Sequence, residues 1–254
     1  MSSAQRIMER VQTLLLAIVS MVVFPCFAEE SPRVSETLPT GVDLRPEIKN
    51  LGLSQRRQGR RGTCSVFATV EAVEFACARQ KGAGTALSVE FANWAANEAT
   101  GRQDDGDFFH NIIKGVEKHG LCPETEMPYH RRFSRETAPS KEAQQQAADF
   151  LEQNALDFHR IKDWNRTPGL DDADLQKVKS VLASGYPISA GSYHSVLFVG
   201  FEDDASLPGG GRLLISDSNL KETEISYQAA KQRFCDLFWV SVTPKSELPK
   251  GTGE

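Results

Sequence analysis

From Gly62 to Gln80 the residues Val66, Phe67, Val70, Val73, Glu74 and Cys77 fall at three- and four-residue steps. No proline or glycine interrupts the run after Gly62. That spacing predicts a helix with one wide apolar face. Thr63 is placed to be its N-cap, and Lys81-Gly82 marks its end. Cys64 therefore stands in the first turn.

The position matters for chemistry. A helix N-terminus carries unpaired N–H groups and partial positive charge, which favour a thiolate over a thiol. Cys64 is thus a candidate nucleophile; a cysteine in such a place can equally be core filling. Gln58 lies six residues earlier, followed by Gly59, with Gly62 closer still. A glutamine amide and the Cys64 backbone N–H together can donate to the oxyanion of a tetrahedral intermediate. Glycines there let a substrate backbone approach closely.

Further along, Ser88 to Asn97 reads as a helix capped by Ser88, and Arg102 to Asp107 as a polar, flexible connection. Phe108 to His119 reads as a helix stopped by Gly120, and Ser140 to Leu156 as an alanine- and glutamine-rich surface helix. Asp171 to Ala183 is another, with Leu175, Val178 and Leu182 facing inward. From Pro187 onward the runs become short and β-rich: Pro187–Ala190, Ser195–Phe201, Arg212–Ser216 and Leu237–Val242, with a glycine-rich loop at Leu207–Gly211. Helices precede strands, an α+β order with a helical half and a sheet half.

The first 28 residues read as a secretory signal. Arg6 and Arg10 precede an apolar stretch from Val11 to Phe24, and Cys26-Phe27-Ala28 offers a small residue at the cut. The stretch is short of the ~20 residues a membrane span needs, so export without stable membrane insertion is expected. Residues 29–40 read as an exposed arm and 246–254 as a flexible tail. Cys64, Cys77, Cys122 and Cys235 remain after the leader. An exported chain permits one disulfide among the three that are not the candidate nucleophile, and buried, unpaired thiols are the alternative. A net charge of -5 with no long basic run argues against nucleic acid as a partner. The histidines show no metal-ligand spacing, and no cofactor motif is present.

The segment Gln58-Gly59-Arg60-Arg61-Gly62-Thr63-Cys64-Ser65-Val66-Phe67-Ala68 resembles the active-site segment of papain and the cathepsins, Q-G-x-C-G-S-C-W-A-F-S. Leu38 to Arg45 resembles that family's mature start, L-P-x-x-V-D-W-R. Gly120-Leu121 followed by Pro128-Tyr129 is similar to its G-I … Y-P-Y stretch. His194 to Phe201 resembles H-A-V-L-A-V-G-Y, and Leu214 to Asn219 resembles I-K-N-S-W. The pieces occur in family order, with His194 130 residues after Cys64 and Asp217 153 after it, close to the spacing of papain-like enzymes.

The resemblance implies a two-lobed papain-like α+β fold, with a helical lobe over about 50–135, an antiparallel β lobe over about 136–245, and the active site between them. It implies a peptidase acting on a peptide or protein. Cys64 would be the nucleophile, His194 its base and later the acid, Asp217 the group orienting His194, and Gln58 an oxyanion donor. Gly62, Gly106, Asp107 and Tyr193 would bind substrate, and Asp107 would make the groove narrower or more acidic.

The chain also departs from the pattern. Arg61 replaces a disulfide cysteine, Ser65 replaces the tryptophan after the nucleophile, and Asn219 replaces a tryptophan that shields the histidine's partner, which implies a wetter site. Only six residues separate Pro187 from His194, so the cleft should be open or closed by the Tyr129 to Ala138 loop. Arg56, Arg57, Arg60 and Arg61 could favour the thiolate, recruit an acidic substrate, or simply be solvated. Two alternatives accompany the peptidase reading: a papain-fold acyltransferase or amidase of the phytochelatin-synthase kind, and a non-catalytic peptide-binding module.

Overall fold

The structure, a computed structural model, describes residues 38–248. The leader over residues 1–28, the arm up to residue 37 and residues 249–254 lie outside the described residues. In chain order the elements are β1 (Gly41–Asp43), α1 (Arg45–Asn50), α2 (Cys64–Lys81), α3 (Val89–Thr100), α4 (Phe109–His119), α5 (Lys141–Gln153), β2 (Asn154–Lys162), α6 (Asp172–Ala183), β3 (Ile188–Gly191), β4 (Val196–Asp203), β5 (Gly211–Ser216), β6 (Glu224–Ser226), α7 (Tyr227–Arg233) and β7 (Asp236–Pro244).

The helix ends follow local chemistry. Ser88, Ser140 and Asp171 each accept a backbone N–H of the first turn they precede, and Asp171 with Asp174 completes a reciprocal capping box on α6. α2 ends where Gly82 turns left-handed at φ 72°. Every residue of α2 from Ser65 to Ala78 is buried, so it is a core helix with no solvent face.

The sheet is antiparallel throughout, in the order β2-β7-β3-β4-β5-β6, with β1 continuing the row beside β4. Both faces are covered. Leu197 and Val199 of β4 join Phe238 and Val240 against α2 and α4. Val196 and Phe198 point the other way, to Leu175, Val178 and Leu182 of α6. That is why β4 is apolar at successive positions instead of alternating. A bulge between Phe198 and Gly200 returns Phe201 to the α6 face. A third, smaller cluster joins Phe91 and Ala95 of α3 to Ala143 and Ala147 of α5.

The expected α+β class is the observed one, with two corrections. The helix expected to reach Leu156 stops at Gln153, where Asn154 turns extended and its side chain takes the Phe150 carbonyl. Residues 154–162 instead form β2, paired along β7 at the sheet edge. Helices and strands are less segregated than expected, since β1 joins the sheet from the N-terminal side and α6 and α7 cover it from the C-terminal half. Of the two arrangements open for the cysteines, the structure has the unpaired one: the four cysteines of the described residues are free, and Cys77, Cys122 and Cys235 are buried thiols.

Candidate active site

The strand register builds half of the site. β4 and β5 pair with Leu197 opposite Ser216. Running that ladder outward brings the residues just before β4 beside those just after β5, and His194 Nε2 meets Asp217 Oδ1 at 2.7 Å. His194 rides the short connection between β3 and β4, where the Ser192 hydroxyl donates to the His194 carbonyl at 2.9 Å.

Asp217 is 0% exposed. Its Oδ1 also accepts the Asn219 N–H, and its Oδ2 accepts the N–H groups of Lys221 and Glu222. The chain wraps the carboxylate by taking Leu220 to φ 56°, a conformation uncommon for a residue with a β-carbon. Burial alone would raise the Asp217 pKa. The Asn219 N–H, the His194 ring and the two further N–H groups outweigh it and hold the carboxyl below its ordinary value. The carboxylate is therefore dry, contrary to the wetter site expected from Asn219.

Cys64 opens α2 and is partly exposed. Its thiol and the His194 ring shift each other's proton affinity. Because Nε2 is taken by Asp217, Nδ1 is the nitrogen left for the sulfur. Burial would push the Cys64 thiol up, but His194 and the Ser195 N–H pull it below its ordinary value. His194 moves the opposite way, to about 8: its bond to Cys64 raises it most, burial opposes, and Asp217 adds to the rise. Opposite shifts of this kind favour a thiolate–imidazolium pair over a neutral thiol and imidazole.

Gln58 is buried between the two halves. The Ser218 hydroxyl donates to its Oε1 at 2.6 Å, and its Nε2 donates to the Arg61 carbonyl at 2.8 Å. One amide hydrogen is thus used and one is spare. Thr63 occupies the N-cap position of α2 without capping it. Its hydroxyl goes to Tyr129 at 2.6 Å, and the Tyr129 hydroxyl donates to the Gln58 carbonyl at 3.0 Å. The first-turn N–H groups of α2 are left without that side-chain acceptor.

A groove of about 430 Å³ runs from Cys64 past Gly62, Gly106 and Asp107 to Phe108, Trp164 and Asp236. The glycines serve the protein's own backbone. A β-carbon on Gly106 (φ 90°) would sit 2.0 Å from the Gly62 carbonyl oxygen, and one on Gly62 would sit 2.6 Å from that of Asp105. Asp107 lines the groove with a side chain only 3% exposed: its Oδ1 accepts the Phe108 N–H and the Asn111 amide, and its Oδ2 faces Arg102 at 3.6 Å. Tyr193 is 85% exposed and stands against Arg233, away from the groove lining.

The four arginines divide. Arg57 and Arg60 are exposed. Arg61 is buried, pairing with Glu90 and with Asp105 at 2.8 Å and lying over the Tyr129 ring. Arg56 pairs with Glu74 at 2.6 Å. Where the resemblance places a disulfide cysteine, this chain has an ion pair joining the turn before Cys64 to the 102–107 loop. That loop is tied to α3 as well, with Asn93 accepting the Gly106 N–H and Asn97 the Asp104 N–H. The Tyr129 to Ala138 loop does not close the cleft. Tyr129 packs on Phe67 beneath the turn that precedes Cys64, and Trp164, from the segment after β2, stands at the groove against Phe108 with ring centres 5.5 Å apart. The sequence reading missed Trp164, the Ser195 N–H, and Gln55, whose amide donates to the Asp217 carbonyl at 2.7 Å.

The fold matches that of papain-like cysteine proteases of known structure. Xylellain, a cysteine protease from Xylella fastidiosa, aligns with a TM-score of 0.59 at 20% identity over 81% of this chain and 87% of its own. Digestive procathepsin L 3 of the Tenebrio molitor larval midgut aligns with a TM-score of 0.58 at 16% identity, over 82% and 71%. The ragweed pollen allergen Amb a 11, a cysteine protease in its proform, aligns with a TM-score of 0.58 at 21% identity, over 81% and 67%. No protein-family model matches the chain, and no curated protein matches it in sequence.

Proposed function

We propose that this chain is an exported cysteine peptidase that cleaves peptide bonds through Cys64 and His194. The observation that carries the reading is the 2.7 Å pair of His194 and Asp217 beside the peptide-sized groove that Cys64 lines. The Cys64 thiolate attacks the acyl carbon. The spare Gln58 amide hydrogen and the Cys64 N–H receive the oxyanion. His194, held protonated by Asp217, passes its proton to the leaving amine and then activates water against the thioester. A binding module needs neither a lowered thiol nor a raised imidazole. Export rests on the sequence of residues 1–28.

The test is a peptide-library digest by protein beginning near Glu29, beside Cys64→Ala. Wild-type protein should release new N-termini at a rate roughly a thousandfold above the variant. Equal rates would sink the reading. Products joined to an added amine or thiol, without hydrolysis, would make the chain an acyltransferase instead.

A further inference from the structure

Behind the reacting groups α2 carries two buried glutamates, Glu71 and Glu74, on the stripe that begins with Cys64. Glu74 is engaged through one oxygen: its Oε1 takes Arg56 at 2.6 Å and the Leu87 N–H at 2.6 Å, and these oppose a burial that still raises its carboxyl to about 7. Arg56 also gives a proton to the Leu87 carbonyl and pairs with Glu124 at 3.4 Å. Glu71 Oε1 is buried with no hydrogen-bond partner. It borders a cavity of about 30 Å³ that Ser54, Gln55 and Ser216 also line.

The charges do not balance. The groups facing Glu71 are Glu74 from the same helix, Arg56 from the segment before the nucleophile turn, and Asp217 from the turn after β5, with Glu124 beyond Arg56. One guanidinium thus stands among four carboxylates. Asp217 has its own donors, and Glu74 and Glu124 share Arg56. An ionised Glu71 would be buried and close to two like charges, with only Arg56, already shared by Glu74 and Glu124, to offset it.

The geometry points to Glu71 as a positioning residue: a carboxylic acid kept un-ionised in the core, whose neutrality leaves Arg56 on Glu74 and Glu124. That arrangement seats residues 55–58, which carry Gln55 to the Asp217 carbonyl and Gln58 to the nucleophile turn. Burial, with Glu74 adding to it, pushes Glu71 up to about 8, in keeping with this assignment. Glu71 touches no reacting atom. Its influence on hydrolysis rests on the peptidase reading; its protonation does not.

The test compares wild-type protein with Glu71→Gln, which keeps the shape and cannot ionise. At neutral pH the infrared difference spectrum of the two should show the C=O stretch of an un-ionised carboxylic acid, and Glu74→Gln should retain that band. Folded Glu71 keeps a proton that the unfolded chain releases above about 4.5, so it drains stability as pH climbs towards about 8. Glu71→Gln should therefore melt near wild type at about pH 5 and roughly 3–8 °C higher at about pH 8. With labelled casein as probe, wild-type hydrolysis should fall at alkaline pH more steeply than one ionisation allows, and Glu71→Gln should fall with one. A missing band, or a band with unchanged steepness, overturns the proposal. Should Glu71→Gln not fold, the band is sought in wild-type protein as a feature lost between about pH 6 and about pH 9 and kept in Glu74→Gln, and its absence overturns the proposal. Wild-type protein that digests no casein at any pH sinks the peptidase reading, while the infrared and melting measurements, which need no substrate, still decide the state of Glu71.

Discussion

The two walls of the groove are held by different physics. On the sheet side, His194 and Asp217 are placed by a backbone ladder and by three N–H groups closing on one carboxylate. On the helix side, Cys64 and Gln58 are placed by side chains: Arg61 on Glu90 and Asp105, Arg56 on Glu74, Thr63 on Tyr129. Backbone placement is spread over many weak bonds that a single substitution scarcely touches. Side-chain placement concentrates the same task in a few buried charges, each of which leaves an orphan if its partner goes.

The largest effect should follow from Arg61→Ala. It strands Glu90, 2% exposed, and frees the 102–107 loop, so a loss of about 3–5 kcal/mol is expected in urea titration. A loss below ~1 kcal/mol would break the comparison, because the helix side would then not depend on its ion pairs. Next comes Asp217→Asn. It keeps the shape of the turn but sets an amide NH2 against backbone N–H donors, so about 1–3 kcal/mol of stability should be lost, and kcat should fall roughly tenfold to a hundredfold. The alkaline limb of kcat/KM should also move below the about 8 to which Asp217 helps raise His194. An unchanged limb would show that Cys64 alone sets the imidazole. The smallest effect belongs to Arg57→Ala combined with Arg60→Ala, both exposed, whose stability should stay within about 0.5 kcal/mol of wild type. A larger drop would mean that these two share the anchoring assigned to Arg61.

What the sequence reveals follows the same division. Cys64 was legible because a helix start has a periodicity and a cap position. His194 and Asp217 were legible because each adjoins an apolar strand with a recognisable pattern. Arg61 was not, because a lone arginine in a basic turn carries no sign of the glutamate 29 residues away that buries it. β2 was missed since an edge strand such as Asn154–Lys162 keeps its polar residues, and its run of Asp157, His159 and Arg160 mimics the helix before it. Gly106 was read as serving the substrate, when its first duty is to let two loops touch. Trp164 lies in a turn with no periodicity, and only folding brings it opposite Phe108.

The pairing of Leu197 with Ser216 has a consequence for how this molecule can fail. A slip of one residue between β4 and β5 would carry Asp217 away from His194, and the same slip would exchange the side chains that one strand sends to the α2 face with those it sends to the α6 face. Because both faces are packed, misfolded copies would lose their chemistry and the fit of two cores together. Inactive yet well-packed molecules cannot arise by that route.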